Sequence, residues 1–119
     1  MLKLGKFKSH SGRLLNYKIE CDDLSNKDIA CLAYIISRKF KFKQVIGIPR
    51  GGTRLAKALT KYISPTSKNI LIVDDVYTTG KSMEEAKKKL NYKYTRGAVI
   101  FFRAKECPSW IRPVFWVDY

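Results

Sequence analysis

Apolar and polar positions along the chain follow two different periods, and each period predicts a different element. Residues 14–20, LLNYKIE, alternate apolar and polar side chains, which predicts a half-buried strand. The apolar positions that follow fall at helical spacing and predict an amphipathic helix over 26–39. Ser25 and Asp28 form a variant capping box for that helix, with Asp where Glu or Gln is usual. The chain therefore changes from strand to helix within its first third.

Short, continuous apolar runs alternate with helical patterns in the rest of the chain. The runs are 44–48 (QVIGI), 70–73 (ILIV) and 97–102 (GAVIFF), and WIRPVFWVDY contains one more. The helical patterns between them comprise a helix marked by Leu55, Ala58, Leu59 and Tyr62 and a helix over 83–90 with Ser82 and Glu85 as its capping box. This alternation predicts an α/β fold, a Rossmann-like parallel sheet with helices on both faces. At 119 residues, we expect a single domain over 1–119.

Charge and composition narrow the classes of function. The formal net charge of +14 favours polyanionic partners such as nucleic acids, acidic membranes or phosphorylated metabolites, unless the lysines are only a solvated surface. No apolar run reaches the roughly 20 residues that span a bilayer, and no signal-peptide pattern is present. Three cysteines without metal-ligand spacing and a single histidine make a zinc site improbable. We therefore expect a cytoplasmic protein with reduced thiols.

The turn after the strand over 44–48 carries the first candidate chemistry. Ligands of open parallel sheets bind beyond the carboxyl ends of the strands. In GIPRGGTRLA, Gly51 and Gly52 allow the backbone to come close to a ligand, and Arg50 supplies a cationic fork. With the start of the next helix, this turn could bind an anion. A tight turn with an exposed arginine is the alternative for these residues alone.

The stretch ILIVDDVYTTGKS, residues 70–82, carries the second set of candidate binding residues. Its end resembles an ATP-binding loop, but GxxxxGK[ST] would require glycine at the position of Asp75. Asp74 and Asp75 can accept hydrogen bonds from vicinal hydroxyls or hold Mg²⁺. The residues after them suit a phosphate monoester at a helix N-terminus: Thr78, Thr79, Gly80, Lys81 and Ser82. The stretch therefore favours a ligand with a phosphate beside a ribose diol.

These two stretches, in this order, resemble the signatures of type I phosphoribosyltransferases. ILIVDDVYTTGKS resembles their phosphoribosyl-pyrophosphate (PRPP) motif, and GIPRGG resembles their pyrophosphate loop. The resemblance implies that Asp74 and Asp75 are the catalytic acids, which bind the ribose hydroxyls and Mg²⁺. It implies that residues 78–82 bind the 5′-phosphate, and that Arg50, Gly51 and Gly52 bind pyrophosphate. The implied reaction is transfer of the phosphoribosyl group from PRPP to a nucleobase, with release of pyrophosphate.

The nucleobase is less defined by the resemblance. The tail RAKECPSWIRPVFWVDY looks like that of the 6-oxopurine enzymes, in which a lysine contacts the exocyclic oxygen and an aromatic ring stacks on the base. Lys105, with Arg103 second, is the candidate for the first role, and Trp110 or Trp116 for the second. FKSHSGRLLNY resembles orotate phosphoribosyltransferases instead, with His10 where that group often has lysine. We expect a 6-oxopurine first and orotate second.

One departure from the family leaves two functions open. Members normally insert a strand and a long mobile loop, which closes over the reaction, between the two motifs. Here only a helix and the turn SPTSK separate Gly52 from Ile70. The family also carries a variable hood over the sheet, which we expect here to be small and formed by N-terminal and C-terminal residues. We therefore expect either a compact homodimeric enzyme, in which the hood or the partner subunit supplies closure, or a non-catalytic regulator. The regulator would bind PRPP or a nucleotide and also nucleic acid. No RNA-binding motif is recognisable, so nucleic acid is not the favoured partner.

Overall fold

The computed structural model describes residues 24–116 of the chain. Three helices and four strands alternate in it: α1 Asn26–Lys39, β1 Gln44–Gly47, α2 Gly51–Leu59, β2 Ile70–Tyr77, α3 Lys81–Leu90, β3 Thr95–Phe102 and β4 Ile111–Trp116. A short 3₁₀ helix, Thr60–Tyr62, extends α2. These bounds confirm the predicted order of helices and strands. The predicted strand over 14–20, His10, Cys21 and the N-terminal part of the hood lie outside the described residues.

The first helix forms as its sequence predicts. The Ser25 hydroxyl accepts a hydrogen bond from the Asp28 N–H (3.0 Å), and the Asp28 carboxylate accepts one from the Ser25 N–H (3.1 Å). This confirms the capping box, which satisfies two N–H groups at the start of α1. The apolar face of α1 is buried, with Leu32 and Ile36 at its centre. Burial of that stripe, more than intrinsic propensity, stabilises the helix.

All four strands are parallel and lie in the order β1-β2-β3-β4. The central strands β2 and β3 pair on both sides and are buried on both faces, which accounts for their continuous apolar runs. α1 and α2 pack on one face of the sheet, where Leu55 meets Leu71 and Val73. α3 packs on the other face, where Met83 meets Ile72. The predicted α/β sheet with helices on both faces is confirmed.

The two helical crossovers have opposite hands. Because the strand order follows the chain order, β1-α2-β2 and β2-α3-β3 step in the same direction across the sheet. However, α2 covers one face and α3 the other. About 98% of such crossovers are right-handed, so one of these two is of the rare hand. In the first of them, residues 63–69 return the chain directly to β2, without another strand between.

Two sequence expectations concern features outside the sheet. Cys31 and Cys107 are both free thiols, and Cys31 is exposed. No helix in the described range is both long and apolar enough to cross a membrane.

Candidate functional site

The edge of the sheet at which the strands end, here called the carboxyl edge, gathers both predicted turns. β1 ends at Gly47 and α2 begins at Gly51, while β2 ends at Tyr77 and α3 begins at Lys81. β1 and β2 are neighbours in the sheet, so the two turns lie side by side. The N-termini of α2 and α3 therefore reach the same edge, where the positive ends of the two helix dipoles favour an anion.

The first turn is held by backbone hydrogen bonds. The Ile48 N–H donates to the Val73 carbonyl (2.9 Å), which continues the pairing of β1 with β2 by one residue. The Gly52 N–H then donates to the Ile48 carbonyl (2.8 Å). Arg50, which follows a cis peptide bond after Pro49, is exposed at the N-cap of α2, and its side chain does not cap the helix. The guanidinium is thus not used to cap the helix.

Gly51 and Gly52 bring the two turns into contact. A Cβ added at Gly51 would fall on the carboxylate of Asp75, and one added at Gly52 would fall on the Val73 carbonyl. The same Gly52 Cβ would lie 3.1 Å from the Cα of Asp74. Only glycine permits this approach, because every other residue carries a Cβ. The predicted pyrophosphate loop is therefore in contact with the predicted ribose-binding acids.

The two aspartates lie inside β2, which continues four residues beyond the apolar run that predicted the strand. Pairing with β3 extends the strand, since Asp74 opposes Val99 and Tyr77 opposes Phe102. Asp74 is only 9% exposed, and its Oδ1 accepts a hydrogen bond from the Asp75 N–H (2.8 Å). Asp75 is half-buried, and its Oδ1 accepts one from the Val76 N–H (2.7 Å). Both carboxylates are thus held in place by the strand backbone.

The pKa of Asp74 is raised to about 7, chiefly by burial and next by a hydrogen bond with the Asp75 side chain, while the hydrogen bond from the Asp75 N–H lowers it. The adjacent negative charge of Asp75 is a smaller contribution that also raises this pKa. A cation at this position would offset both effects by favouring the ionised carboxylate.

The donor set of the acids fits Mg²⁺ better than a protein-enclosed metal site. Within residues 24–116, no group of three or more His, Cys, Asp or Glu side chains could enclose a metal ion. Mg²⁺ typically takes one or two carboxylates and fills its octahedral shell with substrate phosphates and water. Asp74 and Asp75 would hold the ion, which would supply positive charge beside the phosphates of a bound ligand.

The second turn ends in a helix start with no side-chain cap. The structure contradicts the predicted capping box of Ser82 and Glu85: α3 begins at Lys81, and its N-cap is Gly80 with φ of 80°. The Thr79 hydroxyl accepts a long hydrogen bond from the Lys81 N–H (3.3 Å). Glycine is required here for two reasons: φ is left-handed, and an added Cβ would fall on the Tyr77 side chain.

The remaining predicted phosphate contacts are accessible at that helix start. Thr78, Thr79, Lys81 and Ser82 are all exposed. They flank Gly80, the N-cap of α3, which has no side chain to cap the helix. This is the arrangement that binds phosphate at helix N-termini.

A row of three aromatic residues at the carboxyl edge was not predicted. Tyr77, Phe102 and Trp116 are the last residues of β2, β3 and β4 and oppose one another in the register. Tyr77 stacks on Phe102 at 4.5 Å between ring centroids, and Phe102 meets Trp116 edge to face at 4.8 Å. Trp116 is half exposed, at 50%. In the sequence, only Phe102 marks the end of a predicted apolar run, so the row depends on the register of the three strands.

The structure separates the four candidates for base recognition. Arg103 and Lys105 follow β3 at the carboxyl edge, where Lys105 is exposed and the Arg103 N–H donates to the Tyr77 carbonyl (2.8 Å). Trp110 lies at the other end of the β3–β4 connection, and its ring packs over Gly97. Trp110 therefore lies away from the carboxyl edge, because the strands are parallel and Gly97 lies near the start of β3. Trp116, the alternative, lies at the carboxyl edge.

No family model and no curated protein sequence matches the chain. Solved structures do match. A hypothetical protein from Neisseria gonorrhoeae with bound ppGpp aligns with a TM-score of 0.60 and 19% identity, over 80% of this chain and 82% of that one. A purine phosphoribosyltransferase from Pyrococcus horikoshii aligns with a TM-score of 0.53 and 26% identity, over 76% of this chain and 78% of that one.

A third match is xanthine-guanine-hypoxanthine phosphoribosyltransferase from Helicobacter pylori, with a TM-score of 0.52 and 18% identity, over 73% of this chain and 86% of that one. The fold is that of phosphoribosyltransferases. At these identities the likeness concerns the fold and leaves the substrate open.

Proposed function

We propose that the protein binds PRPP with Mg²⁺ at the carboxyl edge and transfers its phosphoribosyl group to a nucleobase, a 6-oxopurine before orotate. The contact between Gly51 and the Asp75 carboxylate carries this proposal, because it joins the two turns into one ligand site. Phosphoribosyltransferases among the structures of like fold add support. We further propose that the enzyme is a cytoplasmic homodimer.

The proposed roles follow from the position of each group. Asp74 and Asp75 accept hydrogen bonds from the two ribose hydroxyls, which fixes the sugar against β2. The uncapped start of α3, with Thr78, Thr79, Gly80, Lys81 and Ser82, binds the 5′-phosphate. Arg50 and the backbone at Gly51 and Gly52 bind pyrophosphate at the start of α2. A ligand held at three points presents its C1 carbon in a fixed orientation to the base.

In the proposed reaction, the bond from ribose C1 to the pyrophosphate oxygen breaks and a bond from C1 to a base nitrogen forms. The proton of that nitrogen leaves to solvent. Arg50 stabilises the charge that accumulates on the leaving pyrophosphate, which is the main contribution that a preorganised cation can make. Lys105 contacts the exocyclic oxygen of the base, and Trp116 takes the stacking position that Trp110 does not reach.

A release assay tests this function. Full-length protein with Mg²⁺ and PRPP is incubated with guanine, hypoxanthine, xanthine, adenine, orotate or uracil, and pyrophosphate is measured. We expect release with a 6-oxopurine and none from an Asp74→Asn/Asp75→Asn variant. A Glu85→Gln/Glu106→Gln variant removes the same two charges elsewhere and should retain activity. If none of the six bases gives pyrophosphate release, although the protein still binds PRPP in calorimetry, the transferase proposal is rejected.

A second candidate function is a non-catalytic PRPP- or nucleotide-binding regulator. The connection over 63–69 lies at the opposite edge of the sheet, so it does not cover the proposed ribose site. The neighbour from Neisseria gonorrhoeae was solved with a guanine nucleotide that carries two pyrophosphate groups, not with a nucleobase alone. Tight binding of PRPP or ppGpp without turnover of any base would favour this candidate.

A further inference from the structure

The edge at which the strands begin, here called the amino edge, carries a second charged feature. The loops that enter β1, β2 and β3 bring Lys43, Lys68 and Lys93 to this edge, and all three are exposed. The sequence contains no Asp or Glu over 29–73 or over 86–105, so none of these loops contains an acid. The positive charge of the amino edge is therefore not neutralised within its own loops.

Aromatic rings alternate with these lysines. The Lys43 ammonium lies 4.9 Å from the centre of the Tyr92 ring, and the Lys68 ammonium lies 4.6 Å from that of Tyr94. Lys93 approaches Tyr94 as well, at 5.5 Å. The two rings meet edge to face at 6.0 Å. We call these five residues the lysine–tyrosine surface.

Hydrogen bonds fix the two tyrosines of this surface relative to the sheet. The Tyr92 hydroxyl donates to the Lys68 carbonyl (2.7 Å), which ties the loop before β3 to the loop before β2. The Ile70 N–H donates to the Tyr94 carbonyl (2.9 Å), so Tyr94 directly precedes the β2–β3 ladder. The exposed fraction of Tyr94, 36%, leaves part of its ring open to a ligand.

An open groove of about 620 Å³ continues the surface along the end of α3. Its lining is Glu84, Lys87, Lys88, Asn91, Tyr92 and Lys93. The only acid in that lining, Glu84, accepts a hydrogen bond from the indole N–H of Trp110 (2.8 Å). The groove therefore extends the positive charge of the lysine–tyrosine surface.

Helix dipoles account for only part of this charge. Lys87, Lys88 and Lys89 lie in the last turn of α3, where cations are stabilised by the helix dipole without any ligand. Lys43, Lys68 and Lys93 lie in loops outside the helices, where no dipole of their own helix favours them. Their placement beside tyrosine rings, on three successive loops, is the feature that needs another explanation.

We propose that the lysine–tyrosine surface binds single-stranded nucleic acid. Lysines provide contacts to successive phosphates, and exposed aromatic rings stack on bases without sequence preference, which together are the elements of single-strand binding. When a base stacks on the Tyr94 ring, it displaces a lysine ammonium group from the ring face. The displaced ammonium group then lies beside the ring, within reach of the phosphate of the same nucleotide. A duplex hides its base faces and could use only the lysines. The proposal goes beyond the proposed transferase and uses none of its site residues.

Fluorescence anisotropy with the full-length chain tests the proposal. The probes are labelled oligouridylate and oligothymidylate of about 12 nucleotides, within the usual site sizes of such surfaces, titrated between about 0.05 and 0.3 M salt. Lys68→Gln/Lys93→Gln should weaken binding about tenfold at low salt and reduce the slope of log affinity against log salt by about 1.4. Lys27→Gln/Lys57→Gln, which neutralises two exposed lysines on α1 and α2, should change neither.

A second variant tests stacking separately from charge. Tyr94→Leu should weaken binding of both single strands about tenfold, since loss of one base–aromatic stack costs roughly 1–3 kcal/mol. Tyr34→Leu removes an exposed ring on α1 and serves as its control. PRPP affinity should be unchanged in all four variants, which separates failure of this proposal from failure of the transferase.

Three outcomes would overturn the proposal. They are no binding at about 0.05 M salt, an equal loss in the control variants, and equal affinity for duplex DNA or phosphatidylserine vesicles through the same lysines. The last would identify a general polyanion surface and not a single-strand site.

Discussion

The two edges of this parallel sheet differ in chemistry. The carboxyl edge carries Asp74 and Asp75 together with two helix starts that lack side-chain caps, whereas the loops into the first three strands at the amino edge carry lysine and tyrosine and no acid. In an alternating α/β fold, every helix N-terminus faces the carboxyl edge and every helix C-terminus faces the amino edge. The same chain direction therefore favours a compact phosphorylated ligand at one edge and allows a continuous positive surface at the other.

The largest expected effect is the loss of PRPP affinity when the two acids of the carboxyl edge are neutralised. Asp74→Asn/Asp75→Asn should weaken PRPP binding about 100-fold or more, because two hydrogen bonds to charged acceptors are lost. Isothermal titration calorimetry with Mg²⁺ would measure it. Binding of oligouridylate at the amino edge should not change, and unaltered PRPP affinity would contradict the assignment of these acids to the ribose.

Two glycine-to-alanine variants compare an added Cβ within the proposed site with one added away from it. Gly51→Ala places a Cβ on the Asp75 carboxylate and should weaken PRPP binding about tenfold or more while costing about 1–3 kcal/mol of stability. Gly97→Ala places a Cβ 2.8 Å from the Trp110 ring, away from the site, and should cost a similar free energy of unfolding. Equal loss of PRPP affinity in both variants would show that the effect is one of general stability.

The pH dependence of stability should reveal the burial of Asp74. Its pKa rises from the ordinary value of 3.8 to about 7 on folding, so the folded state binds the proton more tightly than the unfolded state. The contribution of this group to the free energy of unfolding should therefore fall as pH rises from about 4 to about 7, and stay constant above. Asp74→Asn should remove this dependence in thermal melts of the ligand-free protein. A constant difference in melting temperature between variant and wild type across that range would contradict it.

The smallest effect concerns the helix start that is capped by side chains. Ser25→Ala removes the capping box of α1 and should cost about 1 kcal/mol of unfolding free energy. Because α1 has a side-chain cap whereas the N-cap residues of α2 and α3 provide none, PRPP affinity should be unchanged. Chemical denaturation and calorimetry on the same variant would check both statements. Weaker PRPP binding would mean that α1 contributes to the site.

The elements that sequence predicted well are those whose signal is local. The capping box at Ser25 and the buried runs of β2 and β3 depend on neighbours in the chain, and the structure places them as predicted within a few residues. The helix start at Gly80 was mispredicted, because Ser82 satisfies a pattern whose place is already taken by a glycine packed on Tyr77. The two glycine motifs indicated anion binding without indicating their mutual contact, which depends on the pairing of β1 with β2.

Long-range arrangement accounts for the features that the sequence left open. Trp110 and Trp116 are equivalent aromatic candidates in sequence, and only the parallel pairing of β4 with β3 places them at opposite edges. The extension of β2 through Asp74 and Asp75 likewise depends on β3, since two adjacent carboxylates usually indicate the end of a strand. The crossover of rare hand had no sequence signal beyond the short connection before Ile70.

The difference in length between β1 and β2 has a thermodynamic consequence. β1 has four residues and, within the described part of the chain, pairs only with β2, whereas β2 has eight residues and pairs on both sides. The Arg50–Gly52 turn is therefore attached to the strand that should open more easily, and the acids to the one that opens last. A ligand that joins the two turns would tie the edge strand to the centre of the sheet. Amide hydrogen exchange over 44–52 should slow on PRPP binding far more than exchange over 70–77. The difference in slowing measures the part of the binding free energy that orders the edge strand.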